Sequence, residues 1–404
     1  MTAFRDKIVT HKLYFDNPLT FEFTATTQEI TPKDDGTLSV VLDKTYFYPT
    51  GGGQSHDYGT LGTADIIDIQ KQGEIVFHIV RGAVQSGEII GKVDEAHRRA
   101  NMQAHTGQHI LSAALLAELD AQTVSVKMNA TGLSTVDVDV PDLAQSQIDA
   151  LENAVNRVIM DNRLVKTYFV APDAPILNTL RRSVKFDKVS GDVRLVEIVV
   201  FDLTACAGTH VPQTGMLGAL KILKVENYKG GSRLHFAVGD ELLRQFRHYN
   251  QTLDAVAMAL SVATDQVLER VEKLQSERSD LYKQVQAQTE QLLSYEAQTL
   301  LQAVQGQVII HMFSDRDNND LRTLANLLTA EDVIVVFANQ SGEDTTLIVA
   351  APENSAIHAG NTLRAILAAF EGRGGGRDSY AQGILKNFAD TDALQAAIEE
   401  HLSV

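Results

Sequence analysis

Two pairs of side chains, each spaced four residues apart, constrain this chain more than any other feature. They are His105 and His109 in His105-Thr-Gly-Gln-His109, and Cys206 and His210 in Cys206-Ala-Gly-Thr-His210. On a helix, positions four apart share a face, so both imidazoles of the first pair can reach one ion. Cys206 is the only cysteine of the 404 residues, and a tight turn or a first helical turn brings His210 to the same point. Together the four offer three imidazole nitrogens and one thiolate. That donor set makes a tetrahedron suited to zinc (Zn2+) and not to magnesium or calcium, which prefer oxygen. Taken singly, the pairs have ordinary readings as a helix surface pair and a small buried thiol. Their combination points to a metal, and it requires a fold that brings residues 105 and 210 together.

The length exceeds what one ordinary core organises, so two or three domains are expected. Hydrophobic residues at 44% and charged residues at 22% are globular values. No apolar run approaches the roughly 20 residues needed to cross a bilayer, and the N-terminus lacks the apolar stretch of a signal peptide. One cysteine excludes an intramolecular disulfide framework, so a cytoplasmic, non-membrane protein is expected. A net charge of −17 cannot steer a polyanion globally. Any RNA contact must use local patches: Arg98-Arg99, Arg181-Arg182 with Lys185 and Lys188, or Lys221, Lys224, Lys229 and Arg233. Each of these is equally a solvated face.

The pattern along the chain predicts a multidomain α+β protein. Residues 1–90 read as short strands between turns, a small β-barrel. They carry the loop Pro49 to Gln54, whose Gly51, Gly52 and Gly53 permit positive φ and close approach of a ligand or another backbone. The Gln54 amide can reach a bound substrate or cap the turn. Residues 91–240 read as an α+β core whose first helix, from Glu95 to about Leu119, presents the histidine pair. Residues 241–305 read as a long helix, with Leu253, Leu260, Val267, Leu274 and Leu281 recurring every seven residues. This is a coiled-coil seam, interrupted on its second row by Thr264 and Arg278, that can pair with a second copy or fold back; a homodimer is the preferred reading. Residues 306–404 alternate apolar strands with helices, a C-terminal α/β domain. There, Arg373-Gly-Gly-Gly-Arg377 follows a helix, where glycines and two guanidinium groups can meet phosphate or a 3′ nucleotide, or form a capping loop.

His-x-x-x-His followed far downstream by Cys-x-Gly-Thr-His resembles the metal signature of the alanyl-tRNA synthetase editing domain and of its free-standing AlaX relatives. Phe47-Tyr-Pro-Thr-Gly-Gly-Gly-Gln54 resembles the Gly-rich segment before the editing core. Gly372-Arg-Gly-Gly-Gly-Arg377, with Ala381-Gln-Gly383, resembles the signature of the synthetase's C-terminal domain, found also behind Asp-His-His phosphoesterases. Three motifs in the family's order cover nearly the whole chain, which is identified as a member of the large-form AlaX group. The resemblance implies a trans-editing hydrolase, an aminoacyl-tRNA deacylase without aminoacylation. Its substrate is tRNA(Ala) mischarged with serine chiefly, and with glycine as a second case, and zinc is held by His105, His109, Cys206 and His210. Gly52, Gly53, Gln54, Thr123 and Ser125 are the expected substrate contacts, and Arg98, Arg99, Arg373 and Arg377 the expected tRNA contacts.

A threonine at the start of the strand after the histidine helix takes the hydroxyl-reading role in smaller AlaX relatives, and Thr123 occupies that place. Thr123 and Ser125 read equally as ordinary strand residues. An aminoacyl ester is already activated, so a site needs mainly to position water and stabilise the oxyanion. No catalytic side chain is assigned beyond the zinc site and its water, and whether zinc acts directly or only orients substrate stays open. Two departures stand out: Ala207 replaces the first glycine of Cys-Gly-Gly-Thr-His, and Val126 replaces a glutamine of the synthetase. A zincin peptidase requires Glu beside the first histidine, and Thr106 stands there. A catalytically silent, zinc-containing tRNA-binding or dimerisation module remains the alternative.

Overall fold

A computed structural model describes residues 8–184, 186, 191–304, 306–386, 388 and 390–402. Lys185 and Lys188, counted above in a basic patch, lie outside them. The chain divides into two compact units, Met1–Ala255 and Val256–Val404.

The first unit begins with β1 (His11–Lys12), paired in parallel with β4 (Lys44–Thr45). Six antiparallel strands close into a barrel: β2 (Glu22–Pro32), β3 (Leu38–Leu42), β7 (Ile75–Arg81), β6 (Ala64–Gln72), β5 (Gly59–Leu61) and β8 (Glu88–Val93), in that order around it. Period-two patterning explains the closure, since Phe23 and Ala25 of β2 and Ile89 and Val93 of β8 point inward with Val40, Phe47, Leu61 and Val80. Each of the larger side chains, fully buried, contributes roughly 1.5–3 kcal/mol. Inside this core His78 donates from Nδ1 to the Val40 carbonyl at 3.1 Å and accepts at Nε2 from Thr45 at 2.8 Å.

Helix α1 (Glu95–Leu119) follows, capped by Asp94, whose carboxylate accepts from His97 N–H at 3.0 Å. It is buried on nearly every side between Arg98 and Leu115, so most of its polar side chains need partners within the protein. Helix α2 (Gln145–Met160) packs against it, above one sheet ordered β14 (Leu220–Tyr228), β15 (Gly231–Val238), β10 (Ser134–Val138), β9 (Thr123–Lys127). A second sheet orders β11 (Val165–Val170), β12 (Val193–Ile198), β13 (Asp202–Ala205). One core, including Ile110, Leu111, Leu151, Val196 and Phe236, joins these layers.

Arg98 corrects the sequence reading. Its side chain is fully buried, paired to both oxygens of Asp57 and donating to the carbonyls of Pro18 at 2.9 Å and Tyr46 at 2.6 Å. It bolts helix α1 to the barrel and cannot reach tRNA; a buried guanidinium stays only where a carboxylate and carbonyls replace its water. Arg99 remains at the surface, paired with Glu95 at 2.7 Å and stacked over Phe21.

Helix α3 (Asp240–Leu260) contains the division between the units, and α4 (Val267–Ala303) lies in the second. The single long helix expected here is broken: Ser261 adopts φ +55°, and a short 3-10 turn over Thr264–Gln266 precedes α4. Leu253, Leu274 and Leu281 of the seam are exposed. The second unit carries a five-stranded sheet ordered β16 (Val308–Ser314), β17 (Ile334–Ser341), β18 (Asp344–Ala350), β20 (Tyr380–Leu385), β19 (Arg373–Gly376), with α5 (Asn318–Thr329), α6 (Ala359–Ala368) and α7 (Thr391–Leu402). The glycine motif is thus an edge strand, not a loop. Among the described residues no helix is long and apolar enough to cross a membrane.

Candidate metal centre

His105, His109, Cys206 and His210 meet in unit 1, with one ligand atom from each within 4.8 Å of all the others. Helix α1 supplies the first two from its buried face. The turn leaving β13 supplies the others, and a chain segment of about a hundred residues folds back to bring them there. Cys206 Sγ lies 3.3 Å from His105 Nε2 and 3.4 Å from His210 Nε2. Zinc bonds of about 2.05 Å to nitrogen and about 2.3 Å to sulfur put the nitrogen–sulfur edge of a tetrahedron near 3.5 Å, so these edges fit the ion.

The ring nitrogens facing away from the cluster test the fit further. His105 Nδ1 lies 2.9 Å from Gln54 Oε1, which also accepts from Thr209 N–H at 3.1 Å, while Gln54 Nε2 donates to Thr209 Oγ1 at 2.8 Å. An acceptor at Nδ1 places the proton there and leaves Nε2 free as a ligand. His210 Nδ1 lies 3.1 Å from Thr106 Oγ1, itself held by Val211 N–H at 3.2 Å. His109 Nδ1 is buried without a hydrogen bond and stands 3.9 Å from Asp202, whose carboxylate is gripped by Arg181 Nε at 2.7 Å. Two of the imidazoles therefore have a hydrogen-bonding oxygen behind them, and the third has a carboxylate 3.9 Å away. Metal-ligating histidines have this support, and the residues fit zinc.

Close approach of the second ligand pair needs a glycine. A Cβ on Gly208 would stand 2.0 Å from His105 Cε1, so no side chain fits, whereas Ala207 is exposed. Gly208 N–H donates to Cys206 Sγ at 3.3 Å. Arg194 locks the same turn from behind, donating through Nη1 to the carbonyls of Cys206 at 2.8 Å and Gly208 at 3.0 Å. Burial, helped by the Arg194 charge, lowers His105 to about 3. Burial and neighbouring cations also hold His109 and His210 far below the usual imidazole value. All three are neutral at pH 7, the form that binds metal. Burial pushes the Cys206 thiol up, against the pull of Gly208 N–H and Arg194, so its deprotonation is left for a metal to drive.

A cavity of about 610 Å3 opens onto this cluster, reaching His105, His109 and Cys206 at its base and Gly51, Gly52, Thr123 and Val126 on its walls. Thr123 Oγ1 donates to Ser112 Oγ at 2.9 Å, which also accepts from Gln108 Nε2 at 2.8 Å. The expected substrate residues divide. Gly52, at φ +61° with open space where a Cβ would be, and Thr123 line the cavity. Gly53 is turned to the strand, its carbonyl accepting from Met128 N–H at 3.3 Å. Gln54 is a correction, being 1% exposed with both ends of its amide bonded behind His105. Ser125 is another. It bonds Asp137 at 2.6 Å on the far face of β9, because a register irregularity between Asp137 and Val138 shifts the strand's alternation and leaves Val126 on Thr123's side. Arg373 and Arg377 lie in unit 2, both exposed. Gln108, Thr106, Asp202 and Arg194 were missed; the first two sat inside the histidine motif and were legible as its neighbours.

Three family models match the chain. "Threonyl and Alanyl tRNA synthetase second additional domain" covers residues 193–235, "tRNA synthetases class II (A)" covers 11–98, and "DHHA1 domain" covers 305–403. The alanine–tRNA ligase of Natronomonas pharaonis is 32% identical over 96% of this chain and 43% of that protein. That of Pyrococcus furiosus is 29% identical over 97% and 43%. The chain thus spans less than half the length of the curated relatives it matches. Among solved structures, the C-Ala domain from Aquifex aeolicus alanyl-tRNA synthetase matches 24% of this chain and 91% of that one, at 23% identity and a TM-score of 0.23.

Proposed function

With the chain an AlaX-like relative of alanyl-tRNA synthetase along nearly its whole length, we propose that it removes serine, and secondarily glycine, from mischarged tRNA(Ala). The observation that carries this reading is the meeting of four zinc-type ligands, three of which line a cavity that Thr123 also lines. His105, His109, Cys206 and His210 would hold zinc, which when bound supplies Lewis acidity toward an ester carbonyl or a water. The chain's own residues do the rest. Gln54 and Thr106 orient the imidazoles of His105 and His210, and the Asp202 carboxylate stands near His109. Arg194 and Gly208 fix the turn that carries Cys206.

Thr123 supplies the selection of serine over alanine. Its hydroxyl proton is committed to Ser112, which leaves its oxygen lone pairs as acceptors at a residue that lines the cavity. A serine side chain donates there; alanine has nothing to donate. A site built around such a bond discriminates strongly, since the analogue without the hydroxyl forfeits it. A second reading, binding without hydrolysis, is favoured by the closed set of four protein ligands, the usual mark of a structural zinc. The seven-residue spacing of exposed Leu274 and Leu281, with Val285 and Leu292, supports pairing of two copies along α4.

The test follows serine released from Ser-tRNA(Ala) and alanine released from Ala-tRNA(Ala), for wild type and His109→Ala. Loss of serine alone, reduced by about 10²-fold or more in the variant, is expected. Wild-type protein that binds the tRNA and leaves the serine ester intact sinks the deacylase reading in favour of the binding module.

A further inference from the structure

The chain carries a net charge of −17, yet the wall of the metal cavity contains three cationic side chains, Lys71, Arg181 and Arg182, and no carboxylate. Arg181 is committed to Asp202. Lys71 and Arg182 are exposed and make no ion pair among the described residues. Of the two acids nearest in sequence to Lys71, Glu74 is taken by Lys12, and Asp68 accepts from Gln70 Nε2 at 2.7 Å. The two free cations come from different elements, Lys71 from barrel strand β6 and Arg182 from the segment between β11 and β12. An acidic protein that keeps two cations without an ion pair at a cavity lined by no carboxylate has built a local field for an anion, with Glu74 offsetting part of the Lys71 charge.

We propose that Lys71 and Arg182 grip the phosphodiester backbone of the acceptor strand as its terminal ester enters the metal cavity, so that the site selects esters carried on RNA over the same ester on a free nucleoside. This rests on the deacylase reading and names how its substrate is recognised. An ester on a terminal ribose has its nearest phosphate one nucleoside away from the reacting carbonyl, so exposed cations and buried ligands lining one cavity match the order of groups in the substrate. A guanidinium and an ammonium, one on either element, supply charge-assisted bonds without reading sequence.

The experiment compares seryl-tRNA(Ala) with 3′-O-seryladenosine, which has the same ester and no phosphate, for the zinc-loaded full chain and for Lys71→Gln and Arg182→Gln. Each variant is expected to lower the preference in kcat/KM for tRNA over seryladenosine by roughly fivefold or more. Each should also reduce the slope of log KM against log salt on tRNA by about 1. A preference and a salt slope that stay at wild-type values in both variants overturn the proposal while leaving the deacylase reading in place. A wild type inactive on both esters overturns the deacylase reading instead. The same variants then decide the grip alone by fluorescence anisotropy on uncharged tRNA(Ala), where unchanged affinity and salt slope overturn it and a weakened, flatter dependence supports it.

Discussion

The chain has two glycine runs, Gly51–Gly53 in unit 1 and Gly372–Gly376 around an arginine in unit 2, and they are glycine-rich for different reasons. The first is a turn: Gly52 and Gly53 take φ of +61° and +88°, Tyr48 Oη donates to the Gly51 carbonyl at 3.2 Å, and the turn delivers Gln54 to the back of His105. The second is an edge strand pressed against β20 and α6. A Cβ on Gly374 would stand 2.4 Å from Gly383 Cα, and one on Gly376 2.3 Å from Ala381 Cα. One run uses the backbone freedom of glycine, the other its lack of volume. Only the first ends in a buried polar network, and this separates a constructed site from a surface that two exposed arginines decorate.

That contrast makes unit 1 the half sensitive to chemistry and unit 2 the half sensitive to packing. The largest expected effect is on acid stability. Burial lowers His78 to about 4, against about 6.5 in the unfolded chain, so its contribution is complete above pH 6.5 and is lost as pH falls toward 4. The loss is about 3 kcal/mol, carried by proton uptake in the unfolded chain. Hydrogen exchange of barrel amides at pH 7 and pH 4 reads it, and His78→Gln should flatten the difference. Next, Gly376→Ala should cost unit 2 roughly 1–3 kcal/mol through overpacking. Exchange should quicken along β19 and β20 with zinc content unchanged; equal loosening around α1 would erase the contrast.

Gln54→Leu keeps volume and removes the acceptor behind His105. Zinc affinity, measured by competition with a chelator, should fall about 10–100-fold with no change in unit 2. Gly52→Ala is the smallest step. The position is open, so only the left-handed backbone resists, at about 1–2 kcal/mol, readable as a modest drop in thermal midpoint.

The metal quartet was legible because two spacings of four and a unique cysteine limit what the donors can do. The barrel was legible from period-two strands and their turns. Arg98 was not, since a doublet of arginines looks solvated until a fold sets Asp57 and two carbonyls around one of them. Ser125 failed for a local reason, a bulge that no residue pattern announces. Gln54 was singled out, but its target was another motif's histidine, a pairing of distant segments that only the fold decides. The seven-residue seam ran through Ser261, whose left-handed backbone ends α3 where the apolar spacing continued.

The measurement closest to the central claim is zinc content against the rate of serine release from Ser-tRNA(Ala), as a chelator strips the metal and zinc is then restored. The account predicts a rate that falls in proportion to the zinc lost and returns with it, in protein that stays folded throughout. Undiminished release from folded, zinc-free protein would contradict it, and would place the chemistry somewhere other than the four-ligand cluster.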